Sequence, residues 1–364
     1  MVMRKILVIG AGNIGSTIAD FLASTGDYTV TLTDRDQHTL NTANVPDSVR
    51  RVTADLESGD VLPDLLQGCF AVLSAAPFHL TTRIASAAAA AGVNYLDLTE
   101  DVASTKIVRE LSAKAPSVAF IPQCGLAPGF VSIVAHDIAR RFDSVDTIQL
   151  RVGALPEYST NALGYNLTWS TDGVINEYIE PCEAIVSGKR RLVPALDGLE
   201  SLTIDGVKYE AFNTSGGLGS LCDTYDGRVR GLNYRTIRYP GHAAIMKVLL
   251  NDLRLSERRD VIKSIFEHAL PVTMQDVIII LVTVSGQRDG RLTQETFVRA
   301  IHGTTVNGRA RTGIQITTAG AICAVLDLLA EGRIPASGLV LQEDIALSQF
   351  LENRFGQFYQ NHKH

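Results

Sequence analysis

The chain has 364 residues, 46% of them hydrophobic, and a formal net charge of −6 at pH 7. This length and hydrophobic content suffice for two domains with sizeable cores. The negative charge and the lack of any Lys/Arg-rich block argue against a nucleic-acid partner.

Neither a membrane span nor a secretory signal is expected. The most apolar stretch, residues 277–284, has the length of a strand, and no run of 18 or more apolar residues occurs. The first residues lack the basic-then-apolar pattern of a signal. The five cysteines form no C-x-x-C pair, and the histidines have no ligand-spaced partners. We therefore expect a cytoplasmic protein with reduced thiols and no metal site, which binds neither membranes nor nucleic acids.

The first predicted elements are a strand, a glycine-rich turn and a helix. Residues 4–9 form an apolar run typical of a buried strand, and residues 16–24 repeat apolar positions at helical spacing. A turn at this place brings backbone N–H groups and the positive end of a helix dipole to one point, which attracts a pyrophosphate. The residues predicted to bind it are Gly10, Gly12, Asn13, Ile14 and Gly15.

A second strand over residues 28–33 ends at Asp34. A carboxylate at this position accepts hydrogen bonds from the ribose hydroxyls of an adenosine and repels a 2′-phosphate. The sequence therefore favours NAD over NADP. NADP stays open, because Arg35 could hold a 2′-phosphate if Asp34 turned away.

Strand and helix signals continue to alternate up to about residue 140. This alternation predicts a doubly wound parallel sheet, whose ligands bind at the carboxyl ends of the strands. Candidate cofactor residues at these ends are Asp55, Ala75, Ala76 and Pro77. The further predicted strands are 51–55, 71–76, 94–98 and 117–122, and the helices are 60–66, 80–91 and 102–113.

The later chain predicts a second, α+β domain built on a largely antiparallel sheet. Strand patterns with one polar face cover residues 147–154, 208–213 and 235–238. A hairpin joins 275–286 to 292–301 through Asp289-Gly290, and a helix over 316–329 leads back to the first domain. The predicted domains are a Rossmann domain (1–125), a substrate and dimerisation domain (126–315) and a returning C-terminal segment (316–364).

Several segments together resemble the saccharopine dehydrogenase family, in particular its L-lysine 6-dehydrogenase branch. The most specific are Thr168-Trp169-Ser170 and Arg238-Tyr239 within 236–242. The others are the turn 10–15, 74–77, 125–129, 153–156, 163–165, 312–313 and 341–343.

The resemblance implies NAD(P)-dependent oxidation of a carbon–nitrogen bond in a lysine-like amino acid. It also implies a catalytic domain inserted after the sixth Rossmann strand, and a homodimer. Departures from the family pattern are Ile14, Ala154 and residues 316–318. These departures leave the substrate less certain than the chemistry.

Oxidation of an amine requires a proton acceptor, because a protonated amine cannot release hydride. A base with a pKa near 7 suits this role, and His242 and His79 follow segments that the resemblance places near the cleft. Glu100 and Asp101 lie at a strand end, where a carboxylate could hold an ammonium group. Capping of the helix that begins at Val102 explains Asp101 equally well.

Arg238 is predicted to bind the substrate α-carboxylate in bidentate fashion. Trp169, the single tryptophan, is expected to line the methylene chain of the substrate or to belong to the core. Cys124 is interpreted as a pocket wall, since nothing nearby supplies a base for a nucleophilic thiol. The same segments add Tyr165 and Tyr239 as candidate substrate residues.

Four functions compete at this point. The leading one is L-lysine 6-dehydrogenase, which oxidatively deaminates the ε-carbon. The glutamate-forming saccharopine dehydrogenase and a carboxynorspermidine-type reductase share the chemistry but take other substrates. A dinucleotide-bound sensor without activity is the alternative from a different class.

Overall fold

The computed structural model describes residues 3–360, which form two compact units. The first unit consists of residues up to 133, 305–311 and the residues from 315 onward. The second consists of residues 134–304 and 312–314. The chain therefore leaves the first unit for a long stretch, returns, and leaves it briefly again at residues 312–314 before its last segment.

Strands and helices follow one another along the chain as the sequence predicts for its first 140 residues. The strands are β1 (Arg4–Ile9), β2 (Tyr28–Asp34), β3 (Arg50–Thr53), β4 (Ala71–Ser74), β5 (Asn94–Asp97), β6 (Ala119–Ile121), β7 (Ser144–Pro156), β8 (Cys182–Val186), β9 (Lys189–Val193), β10 (Glu200–Ile204), β11 (Val207–Asn213), β12 (Gly231–Arg238), β13 (Asp276–Arg288), β14 (Arg291–His302), β15 (Thr304–Val306), β16 (Arg309–Arg311) and β17 (Gly338–Leu339). The α-helices are α1 (Asn13–Ala23), α2 (Gln37–Thr42), α3 (Leu62–Leu66), α4 (Thr81–Ala91), α5 (Val102–Lys114), α6 (Phe130–Ala139), α7 (Thr171–Ile179), α8 (Leu221–Tyr225), α9 (His242–Lys247), α10 (Arg259–Ala269), α11 (Gly313–Ala330) and α12 (Leu347–Glu352).

The first unit contains a seven-stranded parallel sheet in the order β17-β6-β5-β4-β1-β2-β3. The order reverses between β1 and β4, which is the switch point where doubly wound sheets bind dinucleotides. Strand β17 comes from the C-terminal segment and pairs in parallel with β6. The predicted Rossmann sheet and the predicted return of the chain are both confirmed.

The strands of this sheet are buried on both faces. Residues 6–9 of β1 are all at most 2% exposed, and so are residues 71–73 of β4. Such strands read as continuous apolar runs because helices cover both sides of a parallel sheet. This is why the run before the glycine-rich turn is apolar throughout.

The second unit contains an eight-stranded sheet whose main path is β10-β11-β12-β7-β13-β14. All its pairs are antiparallel except β12 with β7. Asp289 and Gly290, both with positive φ, form the tight turn between β13 and β14. The predicted antiparallel sheet and its hairpin are confirmed. This unit also contains helices that the sequence analysis does not predict, α7 to α10.

One helix, Gly313–Ala330, has the length and apolar composition that a membrane span would need. Within the protein, 89% of that stretch is buried. We interpret it as a core helix.

A buried ion cluster attaches the returning chain to the first helix. Asp20 of α1 is fully buried and lies 2.8 Å from Nη2 of Arg311 and 3.2 Å from Nη1 of Arg309. Arg311, itself 4% exposed, also donates to the hydroxyl of Thr17 and to the backbone carbonyl of Asn44. Removing one partner of such a cluster leaves a buried charge without compensation.

We therefore expect Asp20→Asn to lower the free energy of unfolding by about 3 kcal/mol. Urea denaturation measures this loss. Asp27→Asn is the matched control, because Asp27 pairs with Arg354 while half exposed, and exposed pairs contribute at most about 1 kcal/mol. Equal losses in the two variants would contradict a structural role for the buried cluster.

Candidate functional site

The glycine-rich turn is shaped by contacts that leave no room for side chains. A Cβ atom on Gly10, whose φ is +97°, would lie 2.6 Å from the carbonyl oxygen of Ala75. A Cβ atom on Gly15 would lie 1.8 Å from the carbonyl oxygen of Gly10. Glycine at both positions therefore lets β1, α1 and the end of β4 approach closely, as the motif requires.

Gly12 has a different role, since no atom lies within 4 Å of the place where its Cβ would be. It is the N-cap of α1, which continues with Asn13 and Ile14, and it offers no side-chain acceptor to the first-turn amides. Those amides and the helix dipole are therefore available to an anion. The turn fits the diphosphate of a dinucleotide.

Asp34 is held in place by two backbone amides. Its Oδ2 accepts from the N–H of Ala11 at 2.7 Å, and its Oδ1 accepts from the N–H of Asp36 at 3.0 Å. Turning the carboxylate away would break both charge-assisted bonds. Rotating the Asp34 side chain to make room for a 2′-phosphate therefore costs free energy.

A cavity of about 170 Å³ opens beside Asp34 in the first unit. Six of the predicted cofactor residues line it, together with one predicted catalytic residue, His79. The lining consists of Ile9, Gly10, Thr33, Asp34, Arg35, Ala54, Asp55, Leu56, Glu57, Ala76, Pro77, His79 and Leu80. Because Asp34 marks the ribose position, we interpret this cavity as the adenosine end of the site.

His79 thus lines the same cavity as Asp34 and the other predicted cofactor residues. Its Nε2 lies 2.9 Å from Oε1 of Glu57, and its side chain is about half exposed. Glu57 also lies 3.8 Å from Nη1 of Arg35. The sequence analysis does not predict Glu57, although its position just after the third strand and Asp55 is a signal that could have found it.

Another group of polar side chains lies at the ends of β5 and β6. Oδ1 of the buried Asp97 accepts from the amides of Gln123 and Thr99, at 2.8 and 3.1 Å. Its Oδ2 has no hydrogen-bond partner among the described residues, and burial raises the pKa of this carboxyl group to about 6.

The thiol of Cys124, in the same group, donates to the carbonyl of Ile121 at 3.0 Å. Burial raises the pKa of Cys124, which fits a pocket wall and not a nucleophile.

Glu100 and Asp101 differ in their surroundings. Glu100 is partly buried, and desolvation raises the pKa of its carboxyl group. Asp101 is the N-cap of α5, with its Oδ2 3.5 Å from the amide of Ser104. The capping alternative for Asp101 therefore has direct support.

The second unit brings Arg238 and His242 together through a residue that the sequence analysis does not identify, Tyr178. Nε of Arg238 donates to the hydroxyl of Tyr178 at 2.9 Å, and that hydroxyl lies 3.0 Å from Nε2 of His242. Nδ1 of His242 lies 2.8 Å from the carbonyl oxygen of Leu163. A carbonyl only accepts, so Nδ1 carries the proton and Nε2 accepts from Tyr178.

Aromatic rings enclose the guanidinium of Arg238, which is 2% exposed. Its Cζ lies 4.9 Å from the ring centre of Tyr165 and 5.8 Å from that of Tyr178. Nη1 donates to the carbonyl of Ile237 at 2.9 Å. The guanidinium is thus held by ring faces and neutral oxygens. Burial opposes its charge, but the nearby tyrosines and the carboxylate of Glu177 outweigh burial and raise the pKa of Arg238.

The structure corrects the expectation of a pKa near 7 for His242. Burial, together with the positive charge of Arg238, lowers the pKa of His242 to about 3. The Nε2 lone pair is also already used by Tyr178. His242 therefore acts here as a positioning residue that orients Tyr178 and, through it, Arg238.

Trp169 and Tyr239 belong to this unit but have other neighbours. The ring of Trp169 packs against α7, where a Cβ on Gly173 would lie 2.2 Å from it. Tyr239 stacks on Tyr209 with ring centres 5.7 Å apart and donates to the carbonyl of Pro156 at 2.9 Å. Neither residue has a recorded contact with the guanidinium of Arg238.

Among residues 3–360, no group of three or more His, Cys, Asp or Glu side chains is arranged to hold a metal ion. The glycine-rich turn and the anchored Asp34 are the features that a nucleotide requires.

Comparison with known protein families assigns almost the whole chain. Residues 6–120 match the saccharopine dehydrogenase NADP binding domain, and residues 125–357 match the saccharopine dehydrogenase C-terminal domain. The chain belongs to the saccharopine dehydrogenase family. The predicted family is confirmed, and with it the class of NAD(P)-dependent dehydrogenases and a nicotinamide dinucleotide as cofactor.

The curated relatives are distant and longer. Mitochondrial alpha-aminoadipic semialdehyde synthase of Bos taurus is 23% identical over 317 residues, which is 83% of this chain and 34% of the synthase. Saccharopine dehydrogenase [NADP(+), L-glutamate-forming] of Saccharomyces cerevisiae is 24% identical over 183 residues, 47% of this chain and 40% of that enzyme. The chain thus spans about a third to two fifths of the length of these relatives.

Solved structures show the same fold. Apo saccharopine dehydrogenase (L-Glu forming) from Saccharomyces cerevisiae aligns with a TM-score of 0.77 at 16% identity, covering 96% of this chain and 97% of that one. Homospermidine synthase from Legionella pneumophila, in complex with NAD, aligns with a TM-score of 0.70 at 12% identity, covering 99% and 90%. At these identities the likeness concerns the fold and does not choose a substrate.

The low pKa of His242 makes stability depend on pH. The folded protein keeps this imidazole neutral down to about pH 3, whereas the unfolded chain protonates it near 6.5. The stabilisation is therefore fully present above pH 6.5 and is lost as the pH falls toward 3. Between pH 7 and pH 5, we expect wild type to lose about 2 kcal/mol more stability than His242→Gln does.

Urea denaturation of both proteins at the two pH values measures this difference. The raised pKa of Asp97 acts in the opposite direction, but it is common to both proteins and cancels. His268→Gln, at an exposed position of α10, is the matched control and should behave like wild type. The same pH dependence in wild type and His242→Gln would contradict the neutral, buried imidazole.

Proposed function

We propose that the protein oxidises the carbon–nitrogen bond of a lysine-like amino acid with NAD, and that it is an L-lysine 6-dehydrogenase. The observation that carries the proposal is the buried guanidinium of Arg238. Its recorded hydrogen bonds go to a tyrosine hydroxyl and a backbone carbonyl, both neutral. An amino acid's α-carboxylate is an anion that would compensate this charge.

Arg238 suits this role by its chemistry as well as by its burial. A planar guanidinium presents pairs of N–H groups that match a carboxylate, and such bonds are stronger than those between neutral groups. Tyr178, fixed in turn by His242, holds Nε and so limits rotation of the guanidinium plane. A fixed plane orients the bound amino acid, which aids any reaction at a defined carbon.

The surroundings of two further arginines favour a small substrate over saccharopine. Saccharopine carries three carboxylates and would need more cations than Arg238. Arg151 and Arg235 are the other candidates, and both form ion pairs with Glu200. Both are thus engaged with the same carboxylate, which leaves Arg238 as the arginine proposed for a substrate carboxylate and favours a substrate of the size of lysine.

The cofactor choice in this proposal rests on Asp34. The bound nicotinamide dinucleotide supplies the hydride acceptor, and this chain holds it through the glycine-rich turn and the adenosine cavity. A carboxylate anchored at the ribose position favours NAD. The homospermidine synthase of the same fold, whose structure contains NAD, supports this choice by analogy.

The similar proteins suggest alternative activities. They include a saccharopine dehydrogenase that is L-glutamate-forming and a homospermidine synthase. Glutamate formation from saccharopine is therefore the second candidate. The predicted homodimer and the predicted cytoplasmic location stay predictions.

The test is NADH production from a panel of amino acids and condensation products, with L-lysine, saccharopine and carboxynorspermidine included. We expect turnover of L-lysine. Arg238→Lys should raise KM for lysine by at least about tenfold, because one ammonium cannot replace a bidentate guanidinium. NADH affinity should not change in this variant, which separates loss of substrate binding from loss of folding.

Turnover of saccharopine but not of lysine would replace the proposal with the second candidate. NADH binding without turnover of any panel member would support a sensor instead of an enzyme.

A further inference from the structure

The adenosine cavity contains more acidic side chains than its role in ribose binding requires. Asp34, Asp55 and Glu57 line it, against one arginine, Arg35, and one histidine, His79. A 2′-phosphate carries close to two negative charges, so this surplus repels it. Asp34 accounts for the ribose, and Asp55 accepts from the amides of its own loop. The carboxylate of Glu57 has neither of these roles.

Glu57 contacts both nitrogen-bearing side chains of the cavity. Its Oε1 lies 2.9 Å from Nε2 of His79, and its Oε2 lies 3.8 Å from Nη1 of Arg35. Arg35 directly follows Asp34 and is therefore the cation best placed to receive a 2′-phosphate. The carboxylate of Glu57 attracts the guanidinium of Arg35 and so competes with a 2′-phosphate for it.

The loop that carries Glu57 is fixed by its own hydrogen bonds. The carboxylate of Asp55 accepts from the amide of Glu57 at 2.9 Å. Arg83 of α4 donates to the carbonyls of Glu57 and Gly59, at 3.3 and 2.5 Å. The side chains of Asp55 and Arg83 thus fix the backbone of the loop around Glu57, although the side chain of Glu57 itself is half exposed.

We propose that Glu57 is a second determinant of the choice of NAD over NADP, because it pairs with Arg35 and contacts His79 and so withholds the guanidinium of Arg35 from a 2′-phosphate. The proposal rests on the cofactor preference in the proposed function and extends it to a residue that the dinucleotide-binding motif does not include. It says nothing about the amino-acid substrate.

Binding of NADH and of NADPH to the full-length protein tests this, with nicotinamide fluorescence as the readout and no amino acid present. Wild type should bind NADH more tightly. Glu57→Gln should bind NADPH about tenfold more tightly than wild type does and NADH within about twofold of wild type. The double variant Glu57→Gln/Arg35→Gln should lose most of that gain, because Arg35 is the cation released.

Asp60→Asn is the matched control, since Asp60 lies in the same loop but does not line the cavity. It should leave the NADH-to-NADPH affinity ratio unchanged. Three results would overturn the proposal: an unchanged ratio in Glu57→Gln, a gain that persists in full when Arg35 is also replaced, or a wild type that prefers NADPH. Because the assay contains no amino acid, failure of lysine turnover leaves these outcomes unaffected. A wild type that prefers NADPH would also contradict the NAD preference of the proposed function, whereas the other two results would leave that function unaffected.

Discussion

The hydrogen bond from the amide of Ala11 to the carboxylate of Asp34 fixes the geometry on which the nucleotide site depends. It joins the glycine-rich turn after β1 to the end of β2, two places that the parallel pairing of these strands brings side by side. One end of the site then offers first-turn amides to a diphosphate, and the other offers a carboxylate to a ribose. The contacts of Gly10 and Gly15 leave this turn little freedom to adopt another shape.

A comparable chain of contacts organises the second unit. Leu163, His242, Tyr178 and Arg238 are linked in sequence by three hydrogen bonds of 2.8 to 3.0 Å. The hydroxyl of Tyr178 accepts from Nε of Arg238 and donates to Nε2 of His242, whose Nδ1 donates to the carbonyl of Leu163. The imidazole is therefore neutral, and the guanidinium keeps its plane. The histidine that the sequence suggests as a base thus supports Arg238, the arginine proposed to bind the substrate.

The parts of the site that could be predicted from sequence are those set by local spacing. Gly10, Gly12, Gly15 and Asp34 follow a strand, turn and helix that can be identified in one stretch of chain. Tyr178 was harder to predict, because the residues that it hydrogen-bonds, Arg238 and His242, lie on β12 and α9, more than fifty residues later in the chain. A local signal for its helix does exist, since Ser170 caps α7 by accepting from the amide of Gly173.

Electrostatic properties were the least predictable. The pKa of His242 falls because tertiary packing removes water from around it, and no residue type or spacing encodes that burial. Glu57 illustrates the same limit, since only the order of β2, β3 and β4 in the fold brings it to Arg35 and His79. Family resemblance supplied the class of chemistry, whereas the choice of cofactor and substrate depends on these tertiary contacts.

The most direct test of this account is a fluorescence titration of wild type and Asp34→Ala with NADH. The account predicts saturable binding to wild type and a loss of at least about 1 kcal/mol in Asp34→Ala, because hydrogen bonds to a charged group contribute about 1.5–3 kcal/mol. An unchanged affinity in the variant, or no affinity of wild type for either nicotinamide nucleotide, would contradict it.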